Sequence, residues 1–242
     1  MIALFRKEIS SFFTSPIGYL VIALFLVATG LFLWVFEGPY NIPDSGFATL
    51  APFFELAPWI FTFLIPAITM RSLSDEEKAG TLELLLTKPI TTWQLVLGKY
   101  SGILFLVIIA LLPTLIYVWA IYDLGNPVGN LDVGATIGSY IGLLFLAGTF
   151  AAIGIFTSSL SNNQIVAFIA AVCICFIGYY GFEGLAEYNA FGKADYYLSQ
   201  MGIKTHYNSI SRGVVDTRDL VYFISVIVFF LFLTVQRLKK HR

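Results

Sequence analysis

Six long apolar runs divide this sequence and dominate what it can fold into. Each is close to the roughly 17–25 residues that an α-helix needs to cross about 30 Å of hydrocarbon. Of the 242 residues, 58% are hydrophobic and only 12% are charged, and the mean hydropathy is +0.82. So few polar groups cannot cover the apolar surface in water, and we predict an all-α integral membrane protein with six spans. The runs are 17–36, 50–70, 100–122, 136–160, 164–182 and 220–236.

The basic residues are distributed unevenly between the two sides of this six-span arrangement. An even number of spans puts both termini on one side, together with the connection after the second run. These three segments hold ten of the fourteen lysines and arginines, whereas the connections 37–49 and 123–135 hold none. The positive-inside rule therefore predicts that both termini are cytoplasmic.

The first 15 residues have an amphipathic pattern. Ile2, Phe5, Ile9 and Phe12 recur at spacings of three and four, which puts them on one face of a helix. We expect a short helix that lies in the inner membrane interface, ended by Pro16 before the first span.

The polar connection between the second and third runs shows the clearest helix signals. Ser74 is followed three residues later by Glu77, which is a capping box, and the first turn after Ser74 is acidic. We predict a helix that starts there and stops before Pro89, with Gly80 inside it at a cost of about 1 kcal/mol relative to alanine.

A second capping box follows the proline. Thr91 and Gln94 predict that a new helix begins at Thr92 or Trp93 and continues into the third span. The connection is therefore expected to be a helix, a turn and a restart. A short capped helix joined rigidly to the third span is suited to transmit a displacement, so this element is the candidate docking surface.

The run Glu-Glu-Lys-Ala-Gly-Thr-Leu-Glu-Leu-Leu-Leu-Thr-Lys-Pro-Ile-Thr (residues 76–91), together with six spans and an amphipathic N-terminal helix, resembles the membrane subunit of type-2 ABC exporters. Over nearly its whole length the chain is similar to the gliding-motility-associated permease subunit of Bacteroidetes. Much of this finer resemblance lies in residues 206–220.

The resemblance implies one transmembrane domain over residues 1–242 in the bacterial cytoplasmic (inner) membrane. Its expected parts are the interfacial helix 1–15, spans one and two in 17–70, the cytoplasmic coupling segment 71–99, spans three to five in 100–182, the extracytoplasmic segment 183–219, and span six with the tail in 220–242.

The resemblance also implies that a separate ABC ATP-binding subunit supplies the energy. The sequence itself contains no G-x-x-x-x-G-K-[ST] phosphate loop, so we expect no cofactor on this chain and ATP with Mg on the partner. In such exporters the helix that corresponds to residues 75–87 docks on the ATPase, where Glu76, Glu77 and Glu83 are suited to pair with basic residues. The expected coupling residues are Asp75, Glu76, Glu77, Gly80, Thr81, Leu82, Glu83 and Pro89.

Further partners follow from the same resemblance. A second permease subunit is implied, heteromeric and larger, with an extracytoplasmic region. The lipid bilayer surrounds the spans, and no nucleic-acid partner is expected. Lipid, lipoprotein and polysaccharide cargoes, or a role in energy transmission without cargo, are all compatible with a six-span half-transporter.

A glycine stripe opens the fourth span. Gly134, Gly138 and Gly142 are four residues apart and share one helix face, which lets another backbone approach closely. The stripe predicts helix packing, either within this chain or between subunits.

The second span contains Pro52, Pro58 and Pro66, which predict a kink or break at its outer end. Glu55 lies near that end, and with Pro58 it is a candidate for the transport path. Alternatively, this carboxylate simply reaches interfacial water.

The segment 183–219 alternates polar and aromatic residues and is not apolar enough to cross a membrane. Short interfacial helices and a plain extracellular loop are both compatible with it. Cys173 and Cys175 point to different sides of a helix, and the two histidines are isolated, so no metal site is predicted.

Two functional classes remain compatible with the sequence. The first is the permease of an ATP-driven exporter. The second is an ATP-independent scaffold or secondary carrier, for which buried ionisable residues at mid-membrane and paired inverted repeats would be expected. The sequence shows neither feature.

Overall fold

The computed structural model describes residues 2–86, 90–187, 193–213 and 216–240 of the chain. Most of these residues are helical, and the described ranges contain no β-strand. A 3₁₀ turn at Leu112–Thr114 joins α7 to α8, and a π-helical turn at Ile177–Gly181 joins α10 to α11. The helices are α1 Ile2–Thr14, α2 Pro16–Trp34, α3 Ile42–Ser45, α4 Ala51–Thr69, α5 Arg71–Lys78, α6 Thr81–Leu86, α7 Thr92–Leu111, α8 Leu115–Leu124, α9 Val133–Ser158, α10 Gln164–Phe176, α11 Phe182–Glu187, α12 Lys193–Met201, α13 Ile203–Ser211 and α14 Thr217–Lys239.

Six helical stretches in the described part of the chain are long and apolar enough to cross a membrane, which confirms the predicted all-α, six-span fold. They are Pro16–Trp34, Ala51–Lys78, Thr92–Leu124, Val133–Ser158, Gln164–Ala186 and Thr217–Lys239.

Six crossings place α1 and the end of α14 at the same end of the bundle, here called the terminal face. The helices α5 and α6, between the second and third crossings, lie at this face as well. The helices α3, α12 and α13 belong to the other end, here called the opposite face.

The core of the bundle is built around α9 and α4. About 78% of the apolar window of α9 and 67% of that of α4 is buried, whereas the other four crossing helices are between 22% and 33% buried. The helix α9 packs against α4, α7, α10, α13 and α14. Most of the apolar window of each of those four helices is therefore not buried within the chain.

The glycine stripe lets α13 approach α9 closely. A Cβ atom added to Gly138 would lie 2.6 Å from the carbonyl oxygen of Ile210, and one added to Gly142 would lie 3.2 Å from the ring of Tyr207. Gly134 lies beside Gly213, where an added Cβ on Gly213 would be 2.9 Å from the carbonyl carbon of Gly134. In this structure the stripe therefore packs within the chain.

The second crossing helix is continuous despite its prolines. The predicted break at its outer end is wrong, because α4 continues through Pro58. Pro52 lies in the first turn of α4, where a backbone N–H has no partner within the helix and its loss costs little. Pro58 cannot donate to the carbonyl of Phe54, and this freed carbonyl accepts a hydrogen bond of 2.8 Å from the hydroxyl of Tyr207. The backbone group that proline leaves unpaired is thus satisfied by a side chain from α13.

The opposite face carries short helices, α12 and α13, and not a plain loop. The α13 helix is tied to α14 by His206, whose Nδ1 lies 2.6 Å from Oδ1 of Asp219 and whose ring stacks on Tyr222. Burial raises the pKa of Tyr207, which keeps its hydroxyl in the neutral, donating form.

Replacing Tyr207 by phenylalanine should leave the Phe54 carbonyl buried and unpaired. We expect Tyr207→Phe to lower the free energy of unfolding by about 1–3 kcal/mol, the usual cost of a buried polar group left without a partner. The measurement is an unfolding titration of the purified protein in mixed micelles.

Tyr222→Phe is the matched control. The hydroxyl of Tyr222 donates to the carbonyl of Met201 at an exposed site, so water can replace it and the change should be below about 0.5 kcal/mol. Equal effects of the two substitutions would contradict the role given to Tyr207.

Candidate functional site

The helix α5 is an extension of the second crossing helix. Met70, between α4 and α5, has helical dihedral angles (φ −54°, ψ −30°), and the combined stretch Ala51–Lys78 has 28 residues. At 1.5 Å per residue this stretch is about 42 Å long, so it extends past the hydrocarbon by about 12 Å. The predicted helix start at Ser74 is wrong. The chain between this helix and the third span includes residues 87–89, which lie outside the described residues, so the expected rigid joint to the third span stays a prediction.

Ser158, at the end of α9, caps α5 from a different helix. Its Oγ accepts the backbone N–H groups of Leu73 at 3.0 Å and Ser74 at 3.1 Å, and it donates to the carbonyl of Met70 at 3.0 Å. The hydroxyl of Ser74 also bonds to the Met70 carbonyl, so it is not available to cap its own helix. Leu73, Ser74 and Ser158 are buried and Met70 is half-buried, so these hydrogen bonds make the junction a fixed joint between α5 and α9.

A second connection joins α5 to α10. The side-chain amide of Gln164, the first residue of α10, donates to Oδ1 of Asp75. Asp75 is therefore engaged within the chain.

A buried lysine joins three helices at the terminal face. The ammonium group of Lys99 on α7 lies 3.1 Å from Oε1 of Glu8 on α1 and 3.0 Å from Oε1 of Glu76 on α5. The side chain of Lys99 is 4% exposed and those of Glu8 and Glu76 are 14% and 15% exposed. Lys7 adds a longer contact of 3.6 Å to Glu76. We call these four residues the Lys99 cluster.

Two glycines of α7 let α1 come close enough to complete this cluster. A Cβ atom on Gly98 would lie 2.9 Å from Cβ of Leu4, and one on Gly102 would lie 2.7 Å from Cβ of Glu8. The predicted amphipathic helix is present over Ile2–Thr14. The two glycines let it pack closely against α7.

The chain turns sharply after α5 and presents an exposed tip, defined as residues 78–83. Gly80 has φ +66°, a left-handed conformation that favours glycine, and nothing lies within 4 Å of a Cβ added there. The predicted continuous helix through Gly80 is thus wrong, since α5 ends at Lys78 and α6 begins at Thr81. Every residue of the tip is exposed except Leu82, which is 5% exposed and anchors it.

The structure separates the predicted coupling residues into two groups. Asp75 and Glu76 bond to Gln164 and Lys99 and so hold α5 in place, whereas Gly80, Thr81 and Glu83 are exposed. Glu77 is half-buried. Pro89 lies outside the described residues, while the restart at Thr92 with the Thr91–Gln94 capping box is confirmed.

The two residues predicted for the transport path lie at the opposite face. Glu55 is exposed and lines a cavity of about 850 Å³, whereas Pro58 is buried in α4 and accepts a hydrogen bond of 2.8 Å from the hydroxyl of Thr62. Only Glu55 therefore faces a space that a ligand could enter.

Comparison with known protein families gives the class of this membrane protein. The sequence model of the ABC-2 family transporter protein matches residues 2–240, almost the whole chain. The chain belongs to the ABC-2 transporter family. It is a membrane permease of an ABC transporter and not itself an ATPase, and the family implies an ABC ATP-binding subunit as its partner. Among curated proteins no sequence matches this chain significantly.

Several residues that build this site in the ABC-2 permease were missed by sequence reasoning. Gly98 and Gly102 form a G-x-x-x-G pair, a signal that could have indicated close helix packing. Lys99 follows directly in an apolar run, and a lysine there is a sign of a partner carboxylate. No local signal points to Ser158, because its partners are 84 to 88 residues away.

Removing the Lys99 ammonium should leave two carboxylates in a nearly buried site. We expect Lys99→Met to lower the free energy of unfolding, toward the lower end of the roughly 3–5 kcal/mol typical of a broken buried ion pair, and to loosen α1. Hydrogen exchange of the α1 amides, followed by mass spectrometry, measures the second effect.

Lys239→Met is the control for this substitution, because Lys239 is exposed and has no ion-pair partner among the residues that the structure describes. The triple variant Lys99→Met, Glu8→Gln, Glu76→Gln should recover part of the lost stability. Unchanged exchange of α1 in Lys99→Met would show that the cluster does not hold α1.

Proposed function

We propose that this chain is the membrane-spanning half of an ATP-driven exporter, and that its partner ATPase binds the tip at residues 78–83. The observation that carries the proposal is that the tip is exposed whereas the helix α5 that holds it is fixed in the bundle. Lys78, Gly80, Thr81 and Glu83 are exposed, whereas α5 directly behind them forms hydrogen bonds or ion pairs with α1, α7, α9 and α10.

The fixed position of α5 in the bundle supports transmission of a movement of the tip to the membrane-spanning helices. A tip on a loose connection would absorb the displacement of a partner, whereas α5 continues α4 into the bundle core. A displacement of the tip would thus be passed to α4 directly and to α9 through Ser158. Membership of the ABC-2 family supports the nucleotide-driven partner that supplies it.

The orientation, assembly and biological role belong to the same proposal. The excess of lysine and arginine at the terminal face supports placing that face, with both termini, in the cytoplasm of a bacterium and the spans in its inner membrane. The resemblance to gliding-motility permeases supports a heteromeric complex with a larger permease that has an extracytoplasmic region. In that assembly the chain would support gliding motility or export to the cell surface.

The direct test is purification of the tagged chain from its own membranes. We expect a P-loop protein in stoichiometric amount and ATP hydrolysis by the purified complex. A chain that purifies without any ATP-hydrolysing subunit under conditions that preserve the fold would contradict the proposal.

Reversing the charge of the tip should weaken that complex. We expect Glu83→Lys to reduce association with the ATPase by about tenfold, because like charges across a docked surface cost more than a lost contact. The measurement is the affinity of the separately purified ATPase for the permease in nanodiscs.

Glu37→Lys is the matched control, because it makes the same charge change at an exposed site on the opposite face. It should leave the affinity unchanged. If both variants bind the ATPase as tightly as the wild type, the tip is not the docking surface.

A further inference from the structure

One third of the residues that line the cavity at the opposite face are aromatic. It has a volume of about 850 Å³, which is within the range of small-molecule sites. Its aromatic lining residues come from four parts of the chain and are Tyr40, Phe47, Phe54, Trp59, Tyr179, Tyr180 and Tyr207.

Helix geometry explains why Glu55 and Trp59 both line the cavity. Glu55 and Trp59 are four residues apart on α4, so they lie on the same helix face, and both line the cavity. Tyr179 and Tyr180 are neighbours in the π-helical turn, and both line the cavity. The rings of Trp59 and Tyr180 stack with centroids 4.2 Å apart.

The charges around the cavity do not cancel. Three charged residues line it: Glu55, Asp132 and Lys204. The carboxylate of Asp132 accepts the N–H of Ala135 at 2.9 Å as the cap of α9, and Lys204 forms an ion pair with Glu183. Within the described part of the chain, Glu55 has no ion-pair partner.

A second group in the wall also lacks a partner. The hydroxyl of Tyr180 is buried and has no hydrogen-bond partner among the described residues. Buried polar groups are normally paired, so this hydroxyl points to a ligand or water in the cavity.

We propose that the cavity binds a ligand through an alkylammonium group, with Glu55 as its counter-charge and the rings of Trp59, Tyr179 and Tyr180 around it. A cation beside these rings is attracted both by the rings and by a carboxylate that has no ion-pair partner among the described residues, whereas an anion would be repelled by Glu55. The ammonium of Lys204, which is paired with Glu183, lies 6.0 Å from the ring centroid of Tyr180, at the outer limit of a cation–π contact.

The depth of the site suits a lipid headgroup. Glu55 is the fifth residue of α4, about 6 Å from the end of that helix, and Trp59 is 39% exposed beside Phe176 on the outer surface of α10. The inference that this ligand is the exported substrate rests on the proposed export function. Binding itself can be measured on the permease alone.

The test is native mass spectrometry of the whole chain in a polyoxyethylene detergent. The probes are dilauroyl phosphatidylethanolamine, phosphatidylglycerol and a monoglucosyl diglyceride with the same tails, and soluble phosphoethanolamine. We expect the ethanolamine lipid to bind about tenfold more tightly than the glycerol lipid, and Glu55→Gln to abolish this preference. Glu37→Gln, an exposed carboxylate on the same face outside the cavity, should retain it.

Trp59→Leu provides a second variant in case Glu55→Gln disturbs folding, and it should reduce the same preference. Binding of soluble phosphoethanolamine as tight as that of the lipid would support the ammonium site and assign it to a free amine. Equal binding of the ethanolamine and glycerol lipids, wild-type preference in Glu55→Gln, or preference for the neutral glycolipid would each overturn the proposal. None of these outcomes depends on the ATPase, so failure here is distinct from failure of the docking proposal.

Discussion

A lysine ammonium held almost out of water determines how the terminal face of this permease is built. Removing a charge from water costs several kcal/mol unless opposite charges and hydrogen bonds replace the solvent. Lys99 obtains both from Glu8 and Glu76, and these carboxylates belong to different helices, so α1 and α5 must sit against α7 for the charge to be tolerated. One desolvated group thereby fixes the relative position of three helices.

The second constraint is the joint between α5 and α9. The hydroxyl of Ser158 accepts hydrogen bonds from two backbone N–H groups of α5 and donates one to the carbonyl of Met70, so the second crossing helix passes into α5 without a loose connection. Together with the Lys99 cluster, this joint makes α5 a rigid extension of the bundle. The tip beyond it, which turns at Gly80, is exposed for a partner to bind.

Sequence reasoning succeeded where the deciding interactions are local. Apolar run length predicts the six spans, and the Thr91–Gln94 capping box correctly places the start of α7, because donors and acceptors lie within one turn. It failed at Ser74, whose hydroxyl bonds to a carbonyl one turn back while Ser158 supplies the cap. The conformation at Gly80 and the pairing of Glu76 also depend on residues far away in sequence or on backbone geometry, which a local pattern does not contain.

The most direct test of rigid coupling measures whether the tip moves together with the core helix α9. In a variant with Cys173→Ser and Cys175→Ser, spin labels at Thr81 and Leu160 report the distance from the tip to the end of α9, and labels at Leu160 and Glu37 report the change between the two faces. Pulsed electron resonance of the ATPase complex, without nucleotide and with ATP trapped, should show a constant first distance and a changed second distance. A first distance that changes while the second stays constant would contradict the rigid connection between the tip and the core.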